Sequence, residues 1–334
     1  MVLPVAAVAG RGQRPRLQAS FGRMRELSAG KDTTTGHWEI AGMILKEPFA
    51  TFEKFPDELV RQIEKEARVN FIGNYACSGT VVLDELGAKH LRTGNPILYT
   101  SADSVMQIAA HENVLPVSRL YEICEIARRH CDRWRIGRVI ARPFDGEPGN
   151  FRRTPRRHDF SIMPPRTVLN ALRDAGIAVT AVGKINDIFA GNGIGQSYPT
   201  ASNREGIVAI DQLWNNGVDG LIFANLVDFD MLFGHRRDVT GYAGALEEFD
   251  QWLGNFLPRV QADDLVIITA DHGNDPTFRG TDHTREEVPL FVLYREQSRD
   301  LGKRQTFADV ASTLAEFFGL ERWIAGTSFL DQHS

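Results

Sequence analysis

The sequence is poor in the features that mark disulfide-rich, membrane-spanning or nucleic-acid-binding proteins. It has only 3 cysteines among 334 residues, an odd number that implies no disulfide framework. No apolar run reaches the roughly 20 residues that a membrane-spanning helix needs. The 43 acidic residues outnumber the 38 basic ones, so the net charge of −5 provides no general basic face for nucleic acid or acidic membranes. We therefore expect a soluble, cytoplasmic protein whose partners are small molecules, with neither nucleic acid nor a membrane among them.

The few cysteines and the apolar start of the chain have simple interpretations. Cys124 and Cys131 lie seven apart on one face of a predicted helix, where buried and reduced thiols are expected. The stretch from Met1 to Gly10 is apolar, but it contains a proline and no basic residue precedes it, which argues against a secretory signal. Its arginine-rich, acid-free continuation could also resemble an organelle transit segment.

The order of predicted elements indicates the fold class. Strands alternate with helices along most of the chain, which predicts an α/β fold with helices on both faces of a sheet. A compact α/β unit of small-domain size starts after residue 47 and ends at the prolines of Met163-Pro164-Pro165. The predicted division is therefore residues 1–47, 48–164 and 165–334.

Chemically versatile side chains follow two predicted strands of the last segment. The apolar, β-branched run Leu265–Thr269 predicts a buried parallel strand, and a second buried strand is predicted over Gly220–Val227. Open α/β sheets place their ligand sites at the carboxyl ends of such strands. The polar side chains after these strands are Asp230, His235, Asp271, His272 and His283.

Two carboxylates and three imidazoles indicate a metal centre. A single Asp-His pair would be an ordinary polar turn, but His283 comes from a loop too polar to be core. Mixed oxygen and nitrogen donors suit manganese, zinc or iron better than calcium. So many donors suit two ions, and two-metal sites with ions about 3.5–4 Å apart recur in phosphoryl displacement.

A threonine-rich stretch near the start could carry a nucleophile. Thr33, Thr34 and Thr35 are poor helix-interior residues, so we predict a loop that opens a helix at His37 to Met43. The amino end of a helix attracts anions, including phosphoryl groups. The simpler alternative is a helix cap, which needs only one such residue. The residues alone do not choose among the three threonines.

The loop from Arg142 to Asp159 is basic and rich in turn formers. It has five arginines in 16 residues, which favours binding of a phosphorylated small molecule, because one guanidinium group can bind two phosphate oxygens at once. A solvated basic loop and a nucleic-acid site are the alternatives. The acidic whole and the absence of an aromatic stacking pattern argue against nucleic acid.

Five motifs together resemble the phosphopentomutase family of the alkaline phosphatase superfamily, over about Ala19 to Leu330. They are Gly30–Glu39, Tyr99–Ser104, Arg142–Asp159, Asn225–His235 and Ala270–Arg285. The resemblance implies an alkaline-phosphatase-like core sheet and a smaller inserted α/β cap domain, at 48–164. It implies an isomerase of nucleoside catabolism that interconverts (deoxy)ribose 1-phosphate and (deoxy)ribose 5-phosphate through a phosphothreonine. Two divalent metal ions, best matched by Mn²⁺, and a ribose 1,5-bisphosphate-type activator are implied as cofactors.

The resemblance also implies roles for individual residues. Thr33 would carry the phosphoryl group and would share one metal with Asp271 and His272. The other metal would be bound by Asp230, His235 and His283. The implied sugar-phosphate contacts are Ser101, Asp103, Arg138, Arg153, Arg157 and Lys184.

The start of the chain departs from the family pattern. Family members begin with a buried strand that ends in an Asp-Ser-Gly-like segment, whose aspartate is a further metal ligand. No such segment precedes Thr33. We therefore expect an amino-terminally shortened version, which also explains the Val2 to Arg16 stretch. Its mutase activity is expected to be weak or absent.

Two other functions are compatible with the residues. A cofactor-independent phosphoglycerate mutase-like enzyme or a phosphatase of the same superfamily would share the Asp271-His272 region, but not the threonine and arginine motifs. An inert metal-binding or sugar-phosphate-binding protein is the alternative outside the enzymes.

Overall fold

A computed structural model describes residues 19–101 and 103–330. The interpretation of Val2 to Arg16 lies outside the described residues. The chain divides into two compact units, one of Met1–Glu47 with Pro164–Ser334 and one of Pro48–Met163. Within the described ranges, no helix is both long enough and apolar enough to cross a membrane.

The first unit begins with strand β1 (Ser20–Met24) and helix α1 (Thr33–Ile40). We predicted that the helix opens at His37, but it begins at Thr33, so the threonines occupy its first turn. Asp32 caps this turn, because its carboxylate accepts hydrogen bonds from the Thr35 amide at 3.1 Å and the Thr35 hydroxyl at 2.5 Å. The cap outweighs the low helix propensity of threonine.

The second unit, Pro48–Met163, is an α/β unit around one mixed sheet. Its strands run in the order β2-β3-β4-β5-β6. Strand β5 also pairs with β7, through Arg138 to Ala141, whereas its Phe144 and Asp145 pair with β6. The elements are α2 (Asp57–Ala67), β2 (Ile72–Ala76), α3 (Val81–Thr93), β3 (Ile97–Thr100), β4 (Val105–His111), α4 (Val117–Cys131), β5 (Arg138–Asp145), β6 (Arg152–Arg153) and β7 (His158–Ser161).

Helices α2 and α4 of this unit share an apolar core with the sheet. Leu59 and Ile63 of α2 pack in one cluster with Ile123 of α4, and all three are fully buried. Cys124 and Cys131 are buried in the same cluster as free thiols, as predicted. Helix α3 and strand β4 were not predicted from the sequence.

The rest of the first unit contains five α-helices and six strands among the described residues. They are α5 (Val168–Asp174), β8 (Val179–Val182), α6 (Ile185–Ile188), β9 (Gln196–Tyr198), α7 (Asn203–Asn215), β10 (Leu221–Ala224), α8 (Val239–Phe256), β11 (Val266–Ile268), β12 (Val288–Leu293), β13 (Asp300–Arg304) and α9 (Asp309–Phe317). One sheet has the order β11-β12-β1-β13 and the other has the order β10-β8-β9. The second of these is parallel throughout.

The strands before the predicted metal ligands differ from the expectation. Strand β11 pairs antiparallel with β12, with Val266 opposite Leu293, and it is half-buried rather than a buried parallel strand. Strand β10 is parallel to β8, as an α/β sheet predicts, but it is also half-buried. Both are edge strands of their sheets in the described part of the chain. An apolar run alone cannot distinguish a central strand from an edge strand.

Candidate metal centre

The predicted ligands lie on loops at the ends of β10 and β11. A π-helical turn, Phe229–Gly234, follows β10 and presents Asp230, and His235 caps its carboxyl end. Asp271 and His272 follow β11 after two residues, Thr269 and Ala270. Helix α1 approaches this loop closely, because a side chain at Gly36 would overlap the Asp271 carbonyl oxygen. Glycine at 36 therefore allows the threonine turn to reach the strand ends.

An isolated bridge between Gly273 and Thr284 brings two of the imidazoles together. The neighbours of these bridge residues, His272 and His283, stack with ring centroids 3.7 Å apart. The loop between them is thus closed at its base, and the separation of eleven positions along the chain becomes direct contact.

All three histidines present the same ring nitrogen to the cluster. In each, Nδ1 faces a backbone carbonyl oxygen, so Nδ1 carries the proton and the Nε2 lone pair is left available, as in most metal-bound histidines. The Nδ1-to-oxygen pairs are His235 with Thr281 at 2.6 Å, His283 with Lys31 at 2.9 Å, and His272 with Gly273 at 3.3 Å.

The Nε2 atoms converge on Asp230. His283 Nε2 lies 3.2 Å from Asp230 Oδ1, and His235 Nε2 lies 3.3 Å from Oδ2. The two Nε2 atoms are themselves 3.2 Å apart. Donor atoms around a tetrahedral ion with bonds of about 2.1 Å stand about 3.4 Å apart. Donor atoms of Asp230, His272 and His283 all lie within 4.8 Å of one another, so these residues fit a divalent metal ion.

The other half of the cluster is centred on Asp271. Its Oδ2 lies 3.0 Å from His37 Nδ1 and 3.3 Å from His272 Nε2, and Thr33 Oγ1 lies 3.3 Å from the same Nε2. Despite these short distances, Oδ2 is buried without a well-formed hydrogen bond in the described residues. A buried carboxylate oxygen in this position is suited to a cation.

Electrostatics hold both carboxylates in the ionised form. Burial alone would raise the pKa of Asp271, but the adjacent His272 and His37 hold that pKa well below its usual range. Burial would likewise raise the pKa of Asp230, yet the bond from His283 lowers it. Burial opposes a charged His283, but the hydrogen bond to Asp230 and the Asp230 charge raise the pKa of His283, so a bound metal ion would displace a proton from its Nε2. The site therefore favours negative carboxylates, the form that binds metals.

The structure brings the six proposed ligands into one continuous cluster. His272 joins its halves, since it contacts Thr33 and Asp271 and stacks on His283. The division of the ligands between two ions remains a prediction from the resemblance.

Most of the proposed sugar-phosphate contacts lie in the second unit. Arg157 forms a bidentate ion pair with Asp159, with both nitrogen-to-oxygen distances at 2.6 Å. Arg138 Nη1 lies 3.6 Å from Oδ2 of the same carboxylate. Ser101 and Asp103 follow β3. Lys184 lies in the first unit, after β8, with its Nζ 2.7 Å from the Met231 sulfur. Their substrate roles remain predictions.

Basic charge is concentrated around Tyr99 in the second unit. Burial lowers the pKa of Arg142, as does the nearby Arg157, and Arg153 also contributes. The same three guanidinium groups act on Tyr99, whose pKa burial raises. Arg142 was not among the predicted contacts, although it opens the predicted loop, and its Nε donates to Gln107 at 3.0 Å. This concentration of arginines suits an anionic group.

Several polar residues that organise the site were not predicted from the sequence. The carboxylate of Glu39 is fully buried and accepts hydrogen bonds from the amides of Leu27, Ser28 and Phe307 and the hydroxyl of Thr306. It fixes helix α1 to the segment before the threonines. The other such residues are His37, Arg237, Asn274 and Arg285. Their one sequence signal is that they lie in or next to the quoted motifs.

Glu26 and Arg285 hold the segment that leads to Thr33. Arg285 donates to the carbonyl oxygens of Ser28, Ala29 and Gly30, at 2.9, 3.0 and 2.5 Å. Glu26 is only 5% exposed and its Oε1 has no hydrogen-bond partner in the described part of the structure. Burial raises the pKa of Glu26 to about 8, although Arg285 opposes this shift.

We expect Glu26 to make folding stability fall as the pH rises. The folded protein retains a proton on Glu26 that the unfolded chain releases above pH 4.5, so stability is lost up to about pH 8. Replacement by glutamine should abolish on the order of 2 kcal/mol of this loss. Urea unfolding at pH 5.5 and 8.5 measures it, with exposed Glu125→Gln as the control. An unchanged pH dependence in E26Q would contradict the assignment.

Comparison with known proteins identifies the family. The sequence profile of the metalloenzyme superfamily matches residues 22–322. A phosphopentomutase of Caldanaerobacter subterraneus is 53% identical over 338 residues, which cover 98% of this chain and 84% of the relative. The chain belongs to the phosphopentomutase family. The superfamily assignment accords with the fit of the clustered donors to a divalent metal.

Solved structures show weaker similarity. A protein of Pyrococcus horikoshii has a TM-score of 0.49 at 13% identity, over 91% of this chain and 88% of that chain. A phosphoglycerate mutase of Leishmania mexicana has a TM-score of 0.39 at 18% identity, over 50% of this chain and 40% of that chain. Similarity at this level does not inform the chemistry of the site.

Proposed function

We propose that this protein is a phosphopentomutase, which interconverts (deoxy)ribose 1-phosphate and (deoxy)ribose 5-phosphate through a phosphorylated Thr33. The relative at 53% identity supports the reaction. The observation that carries the role of Thr33 is its position at the start of α1, with its hydroxyl 3.3 Å from His272 Nε2. Thr35 is unsuited, because its hydroxyl is buried and bonded to Asp32.

In this reaction the phosphoryl group is transferred in two steps. A sugar hydroxyl oxygen bonds to the phosphorus of phospho-Thr33 as the bond from phosphorus to Oγ1 breaks, which gives a sugar bisphosphate. The other phosphate of that sugar then returns to Thr33 Oγ1, and its bond to the sugar oxygen breaks. The proton that leaves the hydroxyl in each step balances the one that the departing oxygen takes up.

The residues of the chain bind and orient the reacting groups. Two divalent metal ions, which we propose to be Mn²⁺, would neutralise charge on the phosphoryl group and lower the pKa of the Thr33 hydroxyl. Thr33, Asp271 and His272 would hold one ion, and Asp230, His235 and His283 the other. The helix dipole of α1 favours negative charge at Thr33. Ser101, Asp103, Arg138, Arg153, Arg157 and Lys184 would bind the sugar phosphate.

The remaining parts of the proposal concern cofactor and setting. A ribose 1,5-bisphosphate-type activator would phosphorylate Thr33 before the first turnover. The enzyme would work in the cytoplasm, with sugar phosphates as its partners and without nucleic acid. Residues 48–164 would be the cap domain of the family.

A direct assay tests the proposed reaction. The protein, loaded with Mn²⁺ and primed with ribose 1,5-bisphosphate, should form ribose 5-phosphate from ribose 1-phosphate. Interconversion of 2- and 3-phosphoglycerate, or release of free phosphate alone, would favour the other enzymes of the superfamily. Binding of ribose 5-phosphate without turnover would favour the inert binding protein.

A further inference from the structure

Two side chains next to the cluster of proposed ligands, Arg237 and the buried Asn274, form a continuous hydrogen-bond chain to one of those ligands. Arg237 Nη1 donates to Asn274 Oδ1 at 2.7 Å, and Asn274 Nδ2 donates to Asp230 Oδ1 at 2.6 Å. Asn274 is 9% exposed. We propose that Asn274, oriented by Arg237, is a positioning residue that fixes the Asp230 carboxylate for metal binding.

The direction of this chain is fixed by chemistry. A guanidinium group has no acceptor, so the Asn274 atom that faces Arg237 is the amide oxygen. The amide nitrogen therefore faces Asp230, whose ionised carboxylate only accepts. The bond from Asn274 occupies one lone pair of Oδ1, and the carboxylate then faces His283 with Oδ1 and His235 with Oδ2.

Arg237 is itself held by several loops. It also donates to the carbonyl oxygens of Gly234 at 3.1 Å, Asp275 at 2.9 Å and Asp282 at 2.6 Å, and to that of Gly280. It therefore connects the turn that carries Asp230 with the loop that carries His283. Its backbone has a φ of 56°, in the left-handed region that non-glycine residues rarely occupy. The guanidinium bonds keep it in this conformation.

Gly234 makes room for the chain of bonds. A side chain at this position would overlap the Asn274 amide, at Nδ2. The turn thus brings its backbone against the amide that contacts Asp230. Groups that orient metal ligands from behind typically change metal affinity by about 10- to 100-fold when they are removed.

Replacing Asn274 with alanine tests the proposal by metal binding. N274A should bind Mn²⁺ about 10- to 100-fold more weakly in one class of sites by isothermal titration. Its melting temperature in EDTA should stay near that of the wild type, while the rise on adding Mn²⁺ shrinks. Asn255→Ala is the matched control, because that exposed amide bonds only to a backbone carbonyl of its own helix in the described structure. A role in packing alone would lower the melting temperature and leave the affinity unchanged.

Arg237→Lys provides a second variant that keeps the positive charge but loses the planar fork. It should also weaken Mn²⁺ binding, and the double variant should lose less than the sum of the two effects, because both act through one contact. If N274A fails to fold, R237K alone decides. The proposal is overturned if the folded variants bind Mn²⁺ with an affinity within threefold of that of the wild type.

The inference rests on the proposed metal centre, and the titrations separate the two. If the wild type does not bind Mn²⁺, the metal centre is wrong and the positioning role falls with it. If the wild type binds and N274A binds equally well, only the positioning role is wrong.

Discussion

Replacing Thr33 with alanine should reduce mutase activity by about 10⁴-fold, or to the detection limit of the assay where the starting activity is weak, because the phosphoryl group would lose its acceptor on the protein. Thr33 Oγ1 lies in the cluster of proposed ligands, 3.3 Å from His272 Nε2, whereas the Thr35 hydroxyl is already bonded to Asp32. Coupled assay of ribose 5-phosphate formation measures the loss. Serine at position 33 should keep part of the activity, because it retains the hydroxyl.

Thr34→Ala is the control for this prediction. It makes the same change one residue further along α1, where no hydrogen bond to the cluster is formed by the side chain in the described structure, and it should leave activity within about threefold. Mass spectrometry after incubation with ribose 1,5-bisphosphate should find one added phosphate on wild type and T34A, and none on T33A. Phosphate on T33A would show that another residue carries the group.

Replacing Asp271 with asparagine should lower mutase activity by about 10³-fold, the size of effect that follows loss of a group that stabilises transition-state charge. The substitution keeps the size of the side chain but removes a buried negative charge next to His37 and His272. Mn²⁺ should then bind in one fewer site by isothermal titration. Steady-state kinetics at saturating Mn²⁺ measure the activity.

Asp238→Asn is the matched control for the charge change. Asp238 caps helix α8 through the Gly241 amide at 2.9 Å, and asparagine caps a helix equally well. Its activity and its number of Mn²⁺ sites should stay those of the wild type. Unchanged Mn²⁺ binding in D271N would remove Asp271 from the ligand set. Chelation of the wild type should also abolish activity, and Mn²⁺ should restore it.

Long elements with a clear pattern could be predicted from the sequence, but their surroundings could not. The predicted helix that carries Cys124 and Cys131 corresponds to α4, Val117–Cys131, because its apolar face repeats with the helical period. The run Leu265–Thr269 did form a strand, yet its pairing was predicted wrongly. Strand direction and burial depend on neighbours from distant parts of the chain, here β12.

The threonine turn shows the same limit at short range. Thr33 to Thr35 are poor helix formers in isolation, and a loop was the natural expectation. The Asp32 cap and the close approach of Gly36 to Asp271 fix the segment as the first turn of α1 instead. The second of these contacts comes from a residue more than 200 positions away.

By itself the sequence determined the family, the α/β class and the types of side chain at the site, because these follow from composition, periodicity and long specific motifs. Only the tertiary structure decided how the donors meet: Nδ1 of each histidine bonds to a backbone carbonyl, and the Nε2 atoms of His235 and His283 converge on Asp230. It also decided which residues support them, including Asn274, Arg237 and Glu39. The physical reason is that ring orientation and carboxylate orientation are set by hydrogen bonds between segments far apart in the chain, and such bonds leave no local pattern in the sequence.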